Sequence, residues 1–127
     1  MSKNAKTILI LEDDENISHI LCFLLERFGY HIEKAEDGKA GMEIIDRIPP
    51  PALIISDIMM PYHSGFEILE KVRAKANWKS IPVVMLSAKS GGPDIVKATE
   101  LGANDYLVKP FEPEVLMAKV KRFITNE

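Results

Sequence analysis

Asp57 closes a short apolar run, Leu53-Ile54-Ile55-Ser56, and Ile58-Met59-Met60-Pro61 follows it. A run of that length reads as a buried strand. An ionised carboxylate at its end is costly unless it is paired, hydrogen-bonded or bound to a metal. Three more acids, Glu12-Asp13-Asp14, follow a second run, Thr7-Ile8-Leu9-Ile10-Leu11. Ser87 follows Val83-Val84-Met85-Leu86, and Lys109 follows Tyr106-Leu107-Val108. Carboxylates held close together raise one another's pKa, and a divalent cation removes the conflict. All-oxygen ligands suit magnesium. With Glu12, Asp13 and Asp57 ionised, Mg²⁺ and Lys109 bring the formal charge to zero. Such a site can receive a phosphoryl group, because the metal and Lys109 neutralise oxygens that gain charge during transfer. Ser87 can donate a hydrogen bond to one of those oxygens. Asp57 is then either a metal ligand only or the nucleophile that forms an aspartyl phosphate.

These residues meet only if the strands lie side by side. The apolar runs alternate with helical patterns. Thr7–Leu11 is the first strand, and Ile17, Leu21, Leu24 and Phe28 then recur at helical spacing up to a stop at Gly29. His31–Ala35 is a weak second strand. Asp37-Gly38 is a turn signal, followed by a helix with Met42, Ile45 and Ile48 inward. Pro49-Pro50-Pro51 ends that helix. It is a loop, not a domain boundary, because neither side of it could fold alone. Leu53–Ser56 is the third strand, and a helix from Gly65 to about Ala76 carries Phe66, Leu69 and Val72 on one face. Val83–Leu86 is the fourth strand, and Pro93 suits the first turn of a helix ending near Gly102. Tyr106–Val108 is the fifth strand, and Pro113 opens a last helix with Leu116, Val120 and Phe123 or Ile124 inward. Five strand–helix units imply an α/β fold: a doubly wound, flavodoxin-like (βα)5 domain with helices on both faces. The expected parallel sheet has order 2-1-3-4-5, with its ligand site outside the strand ends, between strands 1 and 3.

At 127 residues the chain reads as one domain over 1–127, with 46% hydrophobic and 28% charged residues. That is an ordinary globular composition. A net charge of −3 argues against a nucleic-acid surface. The single cysteine, Cys22, permits neither an internal disulfide nor a cysteine zinc site. The N-terminus lacks the apolar segment of a signal peptide, and no stretch is long enough to span a bilayer. A cytoplasmic location is expected. His19, His31 and His63 lack ligand spacing and read as surface residues. Met42, Met59, Met60, Met85 and Met117 read as core or rim packing. Trp78 reads as a loop aromatic covering the core edge, with a partner contact as the alternative.

The ordered motifs Ile8–Asp14, Asp57–Pro61 with Gly65, Leu86-Ser87-Ala88 and Gly102–Phe111 cover nearly the whole chain. Together they resemble the receiver domain of two-component response regulators, of the chemotaxis-regulator kind. The resemblance implies that Asp57 accepts a phosphoryl group from a sensor histidine kinase or phosphotransfer protein. It implies that Asp13, Asp57 and the backbone carbonyl of Met59 bind Mg²⁺, with Glu12 acting through water. Lys109 would hold a phosphoryl oxygen, and the Lys109–Pro110 bond would be cis. Ser87 and Tyr106 match the family's switch pair, which shifts the surface of the fourth helix, fifth strand and fifth helix for partner binding. Met59 and Lys89 match positions that tune the phosphoryl lifetime. Lys89 is expected to lean over the group and hinder water, with a solvated surface lysine as the alternative.

The chain departs from the family at three places. Ser56 replaces an aliphatic residue and reads as a small side chain bonding to backbone. Gly41 replaces an alanine and suggests close packing or local looseness, not chemistry. Gly91-Gly92-Pro93 makes the loop after strand 4 glycine-rich, which reads either as a mobile loop that the switch moves or as a simple turn into the helix. Asp14 is expected to turn outward and cap the first helix. The leading reading is a signalling module that performs only self-phosphotransfer and autodephosphorylation, and not a turnover enzyme. An aspartate-nucleophile phosphatase of the haloacid dehalogenase type would need a second aspartate where Met59 stands. A P-loop hydrolase would need a Gly-x-x-x-x-Gly-Lys motif, which is absent. A flavin carrier would need a hydroxyl-bearing phosphate loop after strand 1, where acids stand. A constitutively binding pseudo-receiver is opposed by the full acceptor set. The chain ends after the fifth helix with no output domain. Either it works alone through a downstream protein target, or it is the receiver of a longer regulator with a DNA-binding or enzymatic output. Lys119 and Asp105 give the only hint of a phosphorylation-dependent dimer.

Overall fold

The strands are β1 (Thr7–Leu11), β2 (His31–Ala35), β3 (Leu53–Asp57), β4 (Val83–Ala88) and β5 (Asp105–Lys109). Between and after them run α1 (Glu15–Arg27), α2 (Gly38–Ile45), α3 (Gly65–Ala74), α4 (Gly92–Glu100) and α5 (Pro113–Phe123). These elements come from a computed structural model that describes residues 5–88 and 92–124. The strands form one parallel sheet of order β2-β1-β3-β4-β5. The winding reverses between β1 and β3.

Alternation along each strand builds two cores. Leu9, Leu11, Ile54, Val83 and Met85 face α2 and α3, where Ile44, Ile45, Ile68, Leu69 and Val72 meet them. Ile8, Ile10, Ile55, Val84, Leu86 and Leu107 face α1 and α5, packing on Leu21, Leu25, Leu116, Met117 and Val120. With both faces covered, the strands need no polar alternation. α4 sits more lightly, with Ala98 as its one buried residue among those described.

Helix starts follow their capping chemistry. The Asp14 carboxylate accepts from the amides of Asn16 (2.9 Å) and Ile17 (3.2 Å) and so opens α1. Asp37 accepts from Ala40 N at 2.8 Å and opens α2. Ser64 and Glu67 form a reciprocal capping box at α3. Gly29, at φ +93°, carries the chain out of α1.

Several local expectations change. Phe28 is half exposed because it caps α1, and Leu25 is the residue that turns inward. Ile44 joins the core beside Ile45, while Ile48 lies beyond the end of α2 and packs against the core's rim. α3 stops at Ala74, where Lys75 adopts extended backbone. β4 and β5 each run further than their apolar runs, so Ser87 and Lys109 lie within strands. Trp78 is 1% exposed and belongs to the core, which removes it as a partner contact. Met59 is exposed and packs in neither core. Met42, Met60, Met85 and Met117 do pack there.

Candidate functional site

Register sets the geometry at the carboxyl edge of the sheet. Leu11 of β1 pairs with Ser56 of β3, so Glu12 and Asp57 each stand one residue further at neighbouring strand ends. Carboxylate oxygens of Glu12, Asp13 and Asp57 lie within 4.8 Å of one another. Asp57 and Glu12 are buried, and Asp13 is exposed. From the other side, Lys109 Nζ donates to Asp57 Oδ2 at 3.0 Å and to Glu12 Oε1 at 3.4 Å. Glu12 Oε2 accepts the Asp14 amide at 3.0 Å. A cleft of about 750 Å³ opens beside these acids, walled by Lys34, Glu36, Asp37, Pro61 and Tyr62.

The electrostatics follow from burial and crowding. Burial pushes the Glu12 carboxyl up from 4.5 to about 7, and the charge and hydrogen bond of Asp57 add to the rise. The Asp14 amide and Lys109 oppose it without cancelling it. For Lys109, burial acts downward, but hydrogen bonds and charge from Asp57 and Glu12 outweigh it and hold the ammonium above its ordinary pKa. This donor set is hard, all-oxygen and rich in negative charge, which fits Mg²⁺.

Ser87 is buried at the end of β4, and its hydroxyl donates to the Ala88 carbonyl at 3.2 Å. Tyr106 stands on the surface of β5, 41% exposed, with Lys119 Nζ 5.6 Å from its ring centroid. The Lys109–Pro110 peptide is cis. Met59 lies in the segment directly after β3, and Lys89 lies outside the described residues. Ser56 Oγ donates to the Asp57 carbonyl at 3.0 Å, so the serine at this position serves the backbone. Asp105 is engaged within the chain, by Lys119 and Arg122 at 3.1 Å each.

Two features escaped the sequence. Ile17, Ile20 and Phe111 line an apolar pocket of about 330 Å³ that reaches Lys109 and Pro110. Ile20 gave no sign, because it falls outside the inward face of α1. Arg73, on the back of α3, donates to the Gly102 carbonyl through Nε (3.1 Å) and Nη2 (2.7 Å). It also reaches Ile81 O at 2.7 Å and Asn104 Oδ1 at 2.9 Å. An arginine at the end of a helical pattern reads as solvated, so periodicity could not find this role.

Fold and cleft together define a class: flavodoxin-like α/β domains with an acidic, lysine-bordered centre where the winding reverses. The family model of the response regulator receiver domain matches residues 8–121. The chain belongs to that family and is a receiver domain of two-component systems. It is 38% identical over 117 residues to the phosphate regulon transcriptional regulatory protein PhoB of Escherichia coli, spanning 92% of this chain and 51% of PhoB. It is 32% identical to chemotaxis protein CheY1 of Helicobacter pylori, spanning 90% of this chain and 93% of CheY1. Among solved structures it resembles the receiver domain of sensor histidine kinase PA1611 from Pseudomonas aeruginosa, which holds a magnesium ion in its active-site cleft. That match has a TM-score of 0.86 at 26% identity and covers 96% of this chain and 99% of the other. The chain spans about half the length of the first curated relatives it matches.

Proposed function

We propose that Asp57 is the phosphoryl acceptor of this receiver, and that a phosphohistidine on a sensor kinase or phosphotransfer protein is the donor. The observation that carries the reading is the buried Asp57 carboxylate 3.0 Å from Lys109 Nζ, beside two further acids on the neighbouring strand end. In the transfer an Asp57 oxygen attacks phosphorus, the P–N bond breaks, and its electron pair returns to the imidazole. Lys109 holds a phosphoryl oxygen and limits the charge that develops there. Asp13, Asp57 and the Met59 carbonyl would hold Mg²⁺, with Glu12 acting through water. When bound, the ion supplies the positive charge that lets three carboxylates and a phosphoryl group share the site.

The chain then acts as a signalling module whose only chemistry is self-phosphotransfer and autodephosphorylation. Met59 stands where an aspartate-nucleophile phosphatase needs its general acid. Ser87 and Tyr106 read the state of Asp57 and shift the α4–β5–α5 surface toward a partner. Met59 and Lys89 tune the lifetime. The apolar pocket beside Lys109 suits a helical partner that presents its histidine to Asp57. Residues 1–127 are one receiver domain. Its downstream partner is a separate protein target. The half coverage of PhoB supports a second reading, the receiver of a longer regulator with a fused output. No helix among the described residues is long and apolar enough to cross a membrane.

Incubation with a small acyl phosphate and Mg²⁺, followed by intact mass, tests the acceptor. One added phosphoryl group is expected, lost in Asp57→Asn and suppressed by a chelator. Labelling that persists in Asp57→Asn overturns the assignment.

A further inference from the structure

The segment between β3 and α3, residues 58–64, carries Met59 and forms one lip of the cleft. Its turn holds Tyr62 at φ +75°, a left-handed conformation that costs a non-glycine residue energy unless the surroundings enforce it. Two glycines supply the enforcement. On the inner side, the Gly65 amide donates to Ile58 O at 2.7 Å, and a Cβ at Gly65 would overlap the Asp57 carbonyl oxygen and lie 2.9 Å from Ile58 Cα. On the outer side stands the first residue of α2. The Gly38 amide donates to Pro61 O at 3.1 Å. A Cβ at Gly38 would overlap the carbonyl oxygen of His63 and come within 2.5 Å of its nitrogen. These neighbours are backbone, so no side chain can swing aside to make room. The next residue, Lys39, sets its ammonium 6.0 Å from the Tyr62 ring centroid.

We infer that Gly38 is a positioning residue for the metal site. By letting α2 press directly on the backbone at Pro61 and His63, it fixes the segment that presents Met59 to Mg²⁺. The inference rests on the metal-binding reading given above, and it adds α2, which contributes no ligand, to the machinery. Any side chain at 38 forces residues 61–63 outward and loosens the site, while Asp13, Asp57 and Lys109 keep their places.

Gly41 provides an internal comparison. It lies on the same helix, and its added Cβ would overlap Leu11 Cδ2 and approach Ile68 Cδ1 at 3.0 Å. Gly41→Ala therefore crowds the core through side chains and leaves the segment after β3 untouched. Calorimetric titration of the full chain with Mg²⁺ reads the difference. Gly38→Ala is expected to raise the Kd about tenfold, the scale of lost support around a metal ligand. Gly41→Ala is expected to keep the wild-type Kd even though its unfolding midpoint falls. Equal Kd values for Gly38→Ala and wild type overturn the inference, as does an equal loss in Gly41→Ala. Asp13→Asn separates the two levels. If it binds Mg²⁺ as wild type does, the reading of the metal site fails. If it loses binding while Gly38→Ala does not, only the role of Gly38 fails. Should Gly38→Ala not fold, amide exchange of the wild-type protein decides. By linkage, Mg²⁺ should slow exchange of the Gly38 amide more than that of Gly41. Equal slowing, or none at Gly38, overturns the inference.

Discussion

Glu12 brings a pH dependence of its own, because burial beside Asp57 makes it hold a proton that the unfolded chain would release. Its pKa rises from 4.5 to about 7 on folding without metal. Between those values the folded state binds more protons than the unfolded state, so stability falls as pH rises. In chelator, the urea midpoint is expected to drop from about pH 5 to about pH 7.5, and Glu12→Gln should flatten that slope. With Mg²⁺ the sense reverses at the site. Binding needs the carboxylate ionised, so affinity should climb across the same window and binding should release protons into the buffer. Calorimetry in buffers of different ionisation enthalpy measures that release. The identities of Glu12, Asp13, Asp57 and Lys109 were legible because each follows an apolar run, and parallel strands bring such positions to one edge. The pairing of Lys109 with both Asp57 and Glu12 was not legible, because it depends on where a flexible side chain settles. Nor was the hydrogen bond of Ser87 to its own neighbour's carbonyl.

At the scale of elements, α4 is the least anchored helix described. Ala98 is its buried residue, and Lys97 lies 4.4 Å from the Phe66 ring centroid on α3. Its far end is tied down by Arg73, whose guanidinium serves the turn at Gly102 and the approach to β4 together. Arg73→Ala should destabilise the fold by about 2–3 kcal/mol, the scale for charged hydrogen bonds lost at a part-buried site. Arg73→Lys should recover little of it, since an ammonium cannot reproduce the planar fork. Denaturant midpoints measure both. The described amides of α4 should exchange faster than those of α1 and α5, each of which buries several apolar side chains. Ser64→Ala breaks the capping box and should cost about 1 kcal/mol. Every strand and helix was legible as an element, because hydrophobic period and glycine or proline punctuation agreed along the chain. Their ends were less so. Phe28 looked inward by spacing alone, but the chain is already leaving α1 there. β4 and β5 outrun their apolar runs because backbone pairing continues past the last hydrophobic residue.

At the scale of the molecule, two cores share one sheet, so the chain should unfold as a single cooperative unit. On the proposed reading Mg²⁺ binds only the folded arrangement of acids. The melting temperature should therefore rise with Mg²⁺ concentration above the Kd, and the rise should vanish in Asp13→Asn. Scanning fluorimetry with an external dye checks this. Sheet order was legible from handedness and element order together. The bracing of residues 58–64 by α2 was not, because it depends on helix and loop backbones separated by over twenty positions approaching within contact distance. The chain's only tryptophan belongs to this scale as well. Trp78 is sealed in the core ahead of β4, at the opposite end of the sheet from Asp57. The protein thus carries a single indole reporter, set far from the acidic edge of the sheet. Its emission should shift fully when the chain unfolds and stay flat through a magnesium titration, which lets one cuvette separate loss of structure from occupancy of the site.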